Sequence, residues 1–381
     1  MGATMRTRKR LRNWLWVGGL FLLGLGLTAQ EGPLTSTQGP NREAGETVAR
    51  PKKKADPPPA AARPKRSPVP ADLPTFKSDT NLVTVDVAVL DNRGNFIPNI
   101  PRGNFLILED SVPQKIVNFG PSEAPMTVCL VIEFSNLYQQ YWTESWYQTL
   151  TAAYGFLETL RPEDWVAVVA YDLRPEILSD FSQDKRKAYE AMQRLRIAAF
   201  SESNLFDALA DTIDRMKEIE GRRAIVVIAS GIDTFSKLTF DKIRQIVQTG
   251  GTAIYAVGLM QALREWYDAR GYMGPIARMD FLQADNQMRT FAKESGGMAF
   301  FPRFYGEFPS IFQQIAVSLR NQYTVAYHPT NQVRDGKFRK IKVQLVDPQT
   351  NKELRITDQK GKNVKYQILA KAGYTSPREV E

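Results

Sequence analysis

From residue 80 the chain alternates apolar and polar positions. In "NLVTVDVAVLD", Val83, Val85, Val87 and Val89 fall on one face, the two-residue period of a half-buried strand. The turn signal "DNRGN" follows, then "NFLILED", a second turn and "QKIVNF", predicting three or four short strands in all. Between 126 and 321 the pattern changes. "MTVCLVI" (126–132), "WVAVVAY" (165–171), "RAIVVIA" (223–229) and "TAIYAVG" (252–258) are unbroken apolar runs, as expected of parallel strands covered on both faces. The segments between them carry helical spacing: Trp146, Leu150, Ala153, Leu157 and Leu160; Leu205, Leu209, Ile213 and Met216; Phe240, Ile243 and Val247. Residues 281–296 and 306–321 give two further helices, and 258–280 reads as a long loop. After 321 the two-residue period returns in "QYTVAYHP", "FRKIKVQLV" and "NVKYQILA".

Alternating strands and helices predict an α/β fold with a doubly wound, mostly parallel sheet. The flanking strands are too few on either side to be stable alone. They are therefore expected to form one β-sandwich, with the α/β domain inserted between its two β-segments. The resulting division is 76–122 and 322–375 for the β-module and 123–321 for the α/β domain.

Composition alters this picture only at the N-terminus. Apolar content of 43% and 24% charged residues are ordinary globular values. Of the net charge of +9, residues 1–72 hold +8, with thirteen Lys/Arg against five Asp/Glu. The remainder is close to neutral, so no nucleic-acid partner is expected. Basic residues Arg6 to Arg12 precede the uncharged "WLWVGGLFLLGLGLTA" (14–29), which ends in small residues. This predicts a signal peptide over 1–29, or an uncleaved anchor, with the remainder exported to the periplasm or secreted. Membrane contact is expected only there. Residues 30–75, rich in Pro, Ala and Lys, read as a disordered linker. Cys129, the only cysteine, lies in an apolar run and reads as a small buried hydrophobe.

In an open parallel sheet, ligands bind beyond the carboxyl ends of the strands. The loops Glu133–Trp142, Asp172–Pro175, Ser230–Ser236 and Gly258–Asp280 are expected to meet there, with the "SESNLFDAL" turn. Together "SNLFDAL", "ASGIDT", "AKESGGMAFFP" and the flanking "NFLILEDSVPQKIVNF" and "QYTVAYHP" resemble the von Willebrand factor A domain, in its bacterial exported branch. The resemblance implies a metal-ion-dependent adhesion site built from D-x-S-x-S, a threonine and a late aspartate. By position these become Glu133, Ser135 and Leu137, then Ser203 and Ser230. Leu137 removes a ligand, Ser230 removes a charge, and Glu133 is one methylene longer. Mg²⁺ tolerates little departure from octahedral oxygen geometry. The expectation is a degenerate site without a cofactor, in which Glu133, Ser135 and Ser203 satisfy one another and backbone N–H groups. The alternative is Mg or Mn held by a site that Asp233, three residues past the family position, compensates.

His328, the only histidine, offers no Ser–His or Cys–His pairing at the crevice, and no phosphate-binding glycine loop occurs. No enzyme activity is expected. The aromatics say more. Tyr138, Tyr141 and Trp142 follow the first strand of the α/β domain. Trp266, Tyr267 and Tyr272, with Met273, Arg264 and Arg270, lie in the segment after the fourth. Aromatics with Met and Arg are the composition of protein-interface hot spots. The sequence therefore reads as a non-enzymatic binding protein that contacts a protein partner, or a second copy of itself, through loops over the strand ends. The alternatives are a structural scaffold of the cell envelope and a metal-dependent adhesin.

Overall fold

The structure, a computed structural model, describes residues 82–121, 125–135, 150, 153–195, 200–217, 219, 221–357 and 361–378. The signal and linker readings over 1–75 lie outside these residues, as do Leu137, Tyr138, Tyr141 and Trp142.

The chain first forms β1 (Val83–Asp91), β2 (Phe105–Glu109), β3 (Val112–Gln114) and β4 (Ile116–Pro121). The α/β portion then follows: β5 (Met126–Glu133), α1 (153–159), β6 (Trp165–Tyr171), β7 (Pro175–Ser182), α2 (Lys185–Gln193), α3 (Leu205–Lys217) and β8 (Arg222–Ala229). It continues through α4 (Phe240–Thr249), β9 (Ala253–Gly258), α5 (Gln261–Ala269), α6 (Pro275–Ser295), β10 (Ala299–Phe300) and α7 (Phe308–Arg320). Last come β11 (Tyr323–Tyr327), β12 (Phe338–Leu345), β13 (Ile356–Thr357), β14 (Asn363–Val364), β15 (Tyr366–Leu369) and β16 (Gly373–Thr375).

The central sheet runs β10-β9-β8-β5-β6-β7, parallel except for β7. Because successive side chains of a strand point to opposite faces, β5 supplies both layers of core. Val128, Leu130 and Ile132 pack with α1, α2 and α7, while Cys129 and Val131 pack with α3, α4 and α6. Burial raises the Cys129 thiol pKa to about 12, so it stays a neutral apolar group.

The flanking strands form two four-stranded sheets, β15-β1-β11-β4 and β16-β12-β2-β3. Each mixes strands from before and after the α/β portion. The two sheets share one core of Val83, Val85, Val87, Val89, Phe105, Ile107, Val325 and Ile341. Tyr323 sits at its end, stacked on Phe119 at 5.6 Å, donating to Ile97 O and accepting from Ile100 N. Glu109 crosses between the sheets, accepting from Tyr327 Oη on one and Tyr374 Oη on the other.

Two segments depart from the expected pattern. The stretch 258–280 is not one loop: it contains α5 and the start of α6, because Leu259, Ala262 and Leu263 give a short apolar stripe that packs on the core. Residues 175–193 form the edge strand β7 and helix α2. The strand has few buried side chains and so leaves little periodic signal, and the helix is started by Asp184, whose carboxylate accepts from Arg186 N.

The chain leaves the sandwich at Pro121 and returns at Tyr323, and these two residues are direct cross-strand partners. Asp164, fully buried, closes that junction. Its Oδ1 accepts from Met126 N at the start of β5, and Oδ2 accepts from Arg161 N and from Arg320 at the end of α7. Burial alone would raise its pKa, but these hydrogen bonds and the Arg320 charge hold it below the usual carboxylate value. Its contribution is therefore present above the ordinary carboxylate range and fades as pH falls through the lowered value. Replacing Asp164 with Asn turns an N–H toward donors and is expected to cost about 3 kcal/mol at neutral pH. Urea unfolding of both proteins should show that gap narrowing toward acid; a gap constant with pH would refute the assignment.

Candidate functional site

The carboxyl ends of β5, β6 and β8 stop level with one another. Glu133, the last residue of β5, is in register with Tyr171, the last of β6, and Ile132 with Ile228 one residue before the end of β8. Their loops are joined by backbone bonds. Phe134 N donates to Tyr171 O, Asn204 N to Asp172 O, and Thr234 N and Phe235 N both to Ser203 O. Ser203 N donates to Thr234 Oγ1, and Asn204 Nδ2 to Leu173 O. The turn after Ser230 depends on Gly231, at φ +81°. A Cβ there would meet Met288 at 2.9 Å and Ala284 O at 3.1 Å.

Glu133, Ser135, Ser203 and Ser230 are all buried and share this floor. Glu133 Oε1 accepts from Ser135 Oγ at 3.0 Å, and Oε2 accepts from Ser230 N at 2.6 Å. The carboxylate thus reaches from the end of β5 to the end of β8, a span its extra methylene helps to bridge. Ser230 Oγ accepts from Ile232 N, which fixes the following turn. The Ser203 hydroxyl does not complete the set as the sequence suggests. It has no hydrogen bond among the described residues, and neither does the buried Tyr171 hydroxyl.

Tyr171 is the residue that sequence reasoning passes over. It ends an apolar run and looks like core; its place beside Glu133 comes from the register of β5 and β6, which nothing in the run itself signals. Burial pushes the Glu133 pKa up, against hydrogen bonds from Ser230 and Ser135. Burial and the neighbouring Glu133 charge keep the Tyr171 phenol neutral.

Asp233, which a compensated metal site needs, is committed elsewhere. Its carboxylate accepts from Phe206 N and from Ser236 Oγ, while Ser236 Oγ itself accepts from Phe206 N and Asp207 N. The two residues cap α3, whose first N–H groups lack partners within the helix. A hard divalent cation requires several oxygen ligands in near-octahedral order and carboxylate charge to offset its dehydration. The described floor offers one carboxylate, already turned onto Ser135 and Ser230, and neutral hydroxyls. Among the described residues no three Asp, Glu, His or Cys side chains gather in a way that could hold a metal. This donor set does not fit such an ion.

The aromatic residues after β9 do come together. Trp266, Tyr267 and Tyr272 form a three-ring cluster, with centroids 5.0 Å (Trp266–Tyr267), 6.3 Å (Trp266–Tyr272) and 6.5 Å (Tyr267–Tyr272) apart. The Arg270 guanidinium lies 4.0 Å over the Trp266 ring, a cation–π contact. Trp266 is 47% and Tyr272 69% exposed, and Met279 and Leu282 of α6 are also exposed. Arg264 behaves differently: it turns inward onto Asp285 of α6 at 2.5 Å and anchors α5 to α6.

Glu133 is the titrating group of the floor. A carboxyl with a raised folded pKa binds its proton more tightly than in the unfolded chain. The folded state therefore loses stability as pH rises from the ordinary glutamate value through the raised one. Glu133→Gln keeps an acceptor for Ser230 N and offers a donor to Ser135, so its unfolding free energy is expected to match or exceed wild type at pH 8 and to lack that decline. Glu133→Ala, which strands both donors, is expected to lose about 3 kcal/mol. Denaturant unfolding between pH 4 and 8 checks both; a Gln variant as damaged as the Ala variant would refute the assignment.

Residues 131–232 match the von Willebrand factor type A domain family. None of the curated proteins matches the chain. Among solved structures it is similar to proximal thread matrix protein 1 from the mussel byssus, at 10% identity and a TM-score of 0.42, covering 56% of this chain and 51% of that one. The chain thus spans about half the length of that protein. It is also similar to the vWF domain of the type V pili tip protein Mfa5 from Porphyromonas gingivalis, at 12% identity, a TM-score of 0.39, and 51% and 94% coverage. A von Willebrand factor type A protein from Catenulispora acidiphila is similar at 10% identity, with a TM-score of 0.40 and coverage of 78% and 75%. The match to the von Willebrand factor type A domain family falls on the strands and loops that build the floor around Glu133.

Proposed function

We propose that this chain is an exported, non-enzymatic binding protein whose von Willebrand factor A domain recognises a protein partner from the carboxyl ends of its strands, without a metal ion. The observation that carries the reading is the exposed Trp266–Tyr267–Tyr272 cluster with Arg270 laid over it. Large rings held at a surface by one another lose little conformational freedom on binding and bury much apolar area, which is why such residues dominate interface energetics. The turn that presents them is braced by Tyr272 N donating to Tyr267 O and by an Arg278–Asp268 ion pair.

Independence from metal rests on the Glu133 carboxylate, whose two oxygens are used within the chain. The absence of enzymatic chemistry rests on the crevice residues: serines without a histidine base, and a tyrosine and glutamate that burial holds toward their neutral forms. Export rests on the basic, then apolar, N-terminal stretch.

Cross-linking on intact cells, followed by recovery of the chain, tests the surface. Trp266→Ala/Tyr272→Ala is expected to lose at least about tenfold of the partner recovered by wild type, as for truncation of hot-spot rings. Glu133→Gln should leave recovery unchanged, and equal recovery with the double variant would remove the reading. For the metal, calorimetric titration with Mg²⁺ and with Mn²⁺ is expected to give no binding tighter than millimolar. Tighter binding that Glu133→Ala abolishes would establish a metal-dependent adhesin instead.

A further inference from the structure

At the opposite end of the central sheet, below the amino ends of β5 and β8, a cleft of about 90 Å³ lies between the sheet and the sandwich. Its lining includes Asp86, Arg222, Arg223, Gln322, Ser295 and Lys371. Three cationic side chains thus face one carboxylate. Asp86 itself is occupied, accepting from Thr324 Oγ1 at 2.7 Å on the neighbouring strand. Like charges gathered in a half-buried space repel, and a fold keeps such a cluster at a cost unless something of opposite charge joins it.

The guanidinium groups are held in place by neutral acceptors. Arg222 donates to Gln322 Oε1 at 3.0 Å, and Arg223 donates to Met216 O at 2.9 Å. The Nε atoms of both arginines lack a hydrogen-bond partner among the described residues. Burial lowers the pKa of Lys371 and of Arg222. Lys371 is placed by the backbone around it. Gly296 ends α6 at φ +91°, and a Cβ there would strike Lys371 N at 2.6 Å. Ala372 N donates to Glu294 O, and Ile341 N donates to Ala372 O, which pins the lysine between α6 and β12.

We propose that this cleft is a binding site for a small, doubly charged oxyanion of the phosphate type, held by Arg222, Arg223 and Lys371. Two charges match the excess of three cations over one carboxylate. By the measure on which a single water needs roughly 10–15 Å³, the volume admits several waters or one small anion. Fork-shaped guanidinium groups and an ammonium are the donors that phosphate oxygens take. The bound anion links β1, β8 and the segment before β16, joining the sandwich to the α/β domain at a point remote from Glu133 and Trp266.

Calorimetric titration of the full chain with millimolar inorganic phosphate, in chloride at fixed ionic strength, tests the site. Saturable one-to-one binding is expected. Lys371→Met and, separately, Arg222→Gln should each weaken it by about 10- to 100-fold, the loss expected for a charge-assisted contact. In thermal melts, phosphate in about hundredfold excess over its Kd should raise the wild-type Tm by about 5 °C. A general salting effect would raise the Tm of both variants equally, and that result, or the absence of saturable heat in wild type, overturns the proposal. A parallel titration with glycerol phosphate distinguishes the source: equal affinity assigns the site to a phosphate group on a larger molecule, and preference for the free ion assigns it to phosphate itself.

Discussion

A domain can be spliced into a β-sandwich only if it begins and ends at the same place. Here the condition is met by the direct pairing of Pro121 with Tyr323 and by one buried carboxylate, Asp164. Asp164 takes an N–H from the first residue of β5 and a guanidinium from the last residue of α7. With those two points fixed, β11 is delivered beside β1 and β4, and the mixed sheets can close over their valine core. Glu109 then ties one sheet to the other through two tyrosine hydroxyls. A buried carboxylate is retained where several donors converge on it, because the cost of leaving those donors unpaired exceeds the cost of burying the charge.

The floor of the crevice follows the same logic with a different outcome. A hydroxyl and a backbone N–H converge on Glu133, with no cationic side chain beside them among the described residues, so burial moves its pKa up where that of Asp164 moves down. Glu133 reaches across the strand ends to Ser230 N, and Asp233 is used as a cap for α3. The loops around this floor are organised by side-chain reach and backbone pairing.

Much of the architecture was legible in the sequence because burial imposes a period. The unbroken runs at 126–132 and 223–229 could only be strands covered on both faces, and the alternating valines at 83–89 could only face one core. What could not be read was whatever depends on position in space rather than along the chain. The helix Gln261–Ala269 was hidden because its aromatic residues face outward and only a short stripe packs inward. Tyr171 looked like an ordinary core residue, since nothing in "WVAVVAY" says which strand end lies beside it. Arg222, Arg223 and Lys371 are unremarkable charges until the fold brings residues about 150 apart in sequence into one cleft.

The insertion also sets a clock. Val83 on β1 pairs with Tyr327, and Leu90 with Gln367, so both partners of β1 are made more than two hundred residues after it. At synthesis rates of about 5–20 residues per second, the strand waits on the order of 10–50 s for its neighbours. During that interval a strand with apolar residues on both faces presents two open edges, the arrangement most prone to mispairing with another chain. The cost of housing one domain inside another is thus kinetic: the nascent chain must be kept from its own kind until its far end arrives.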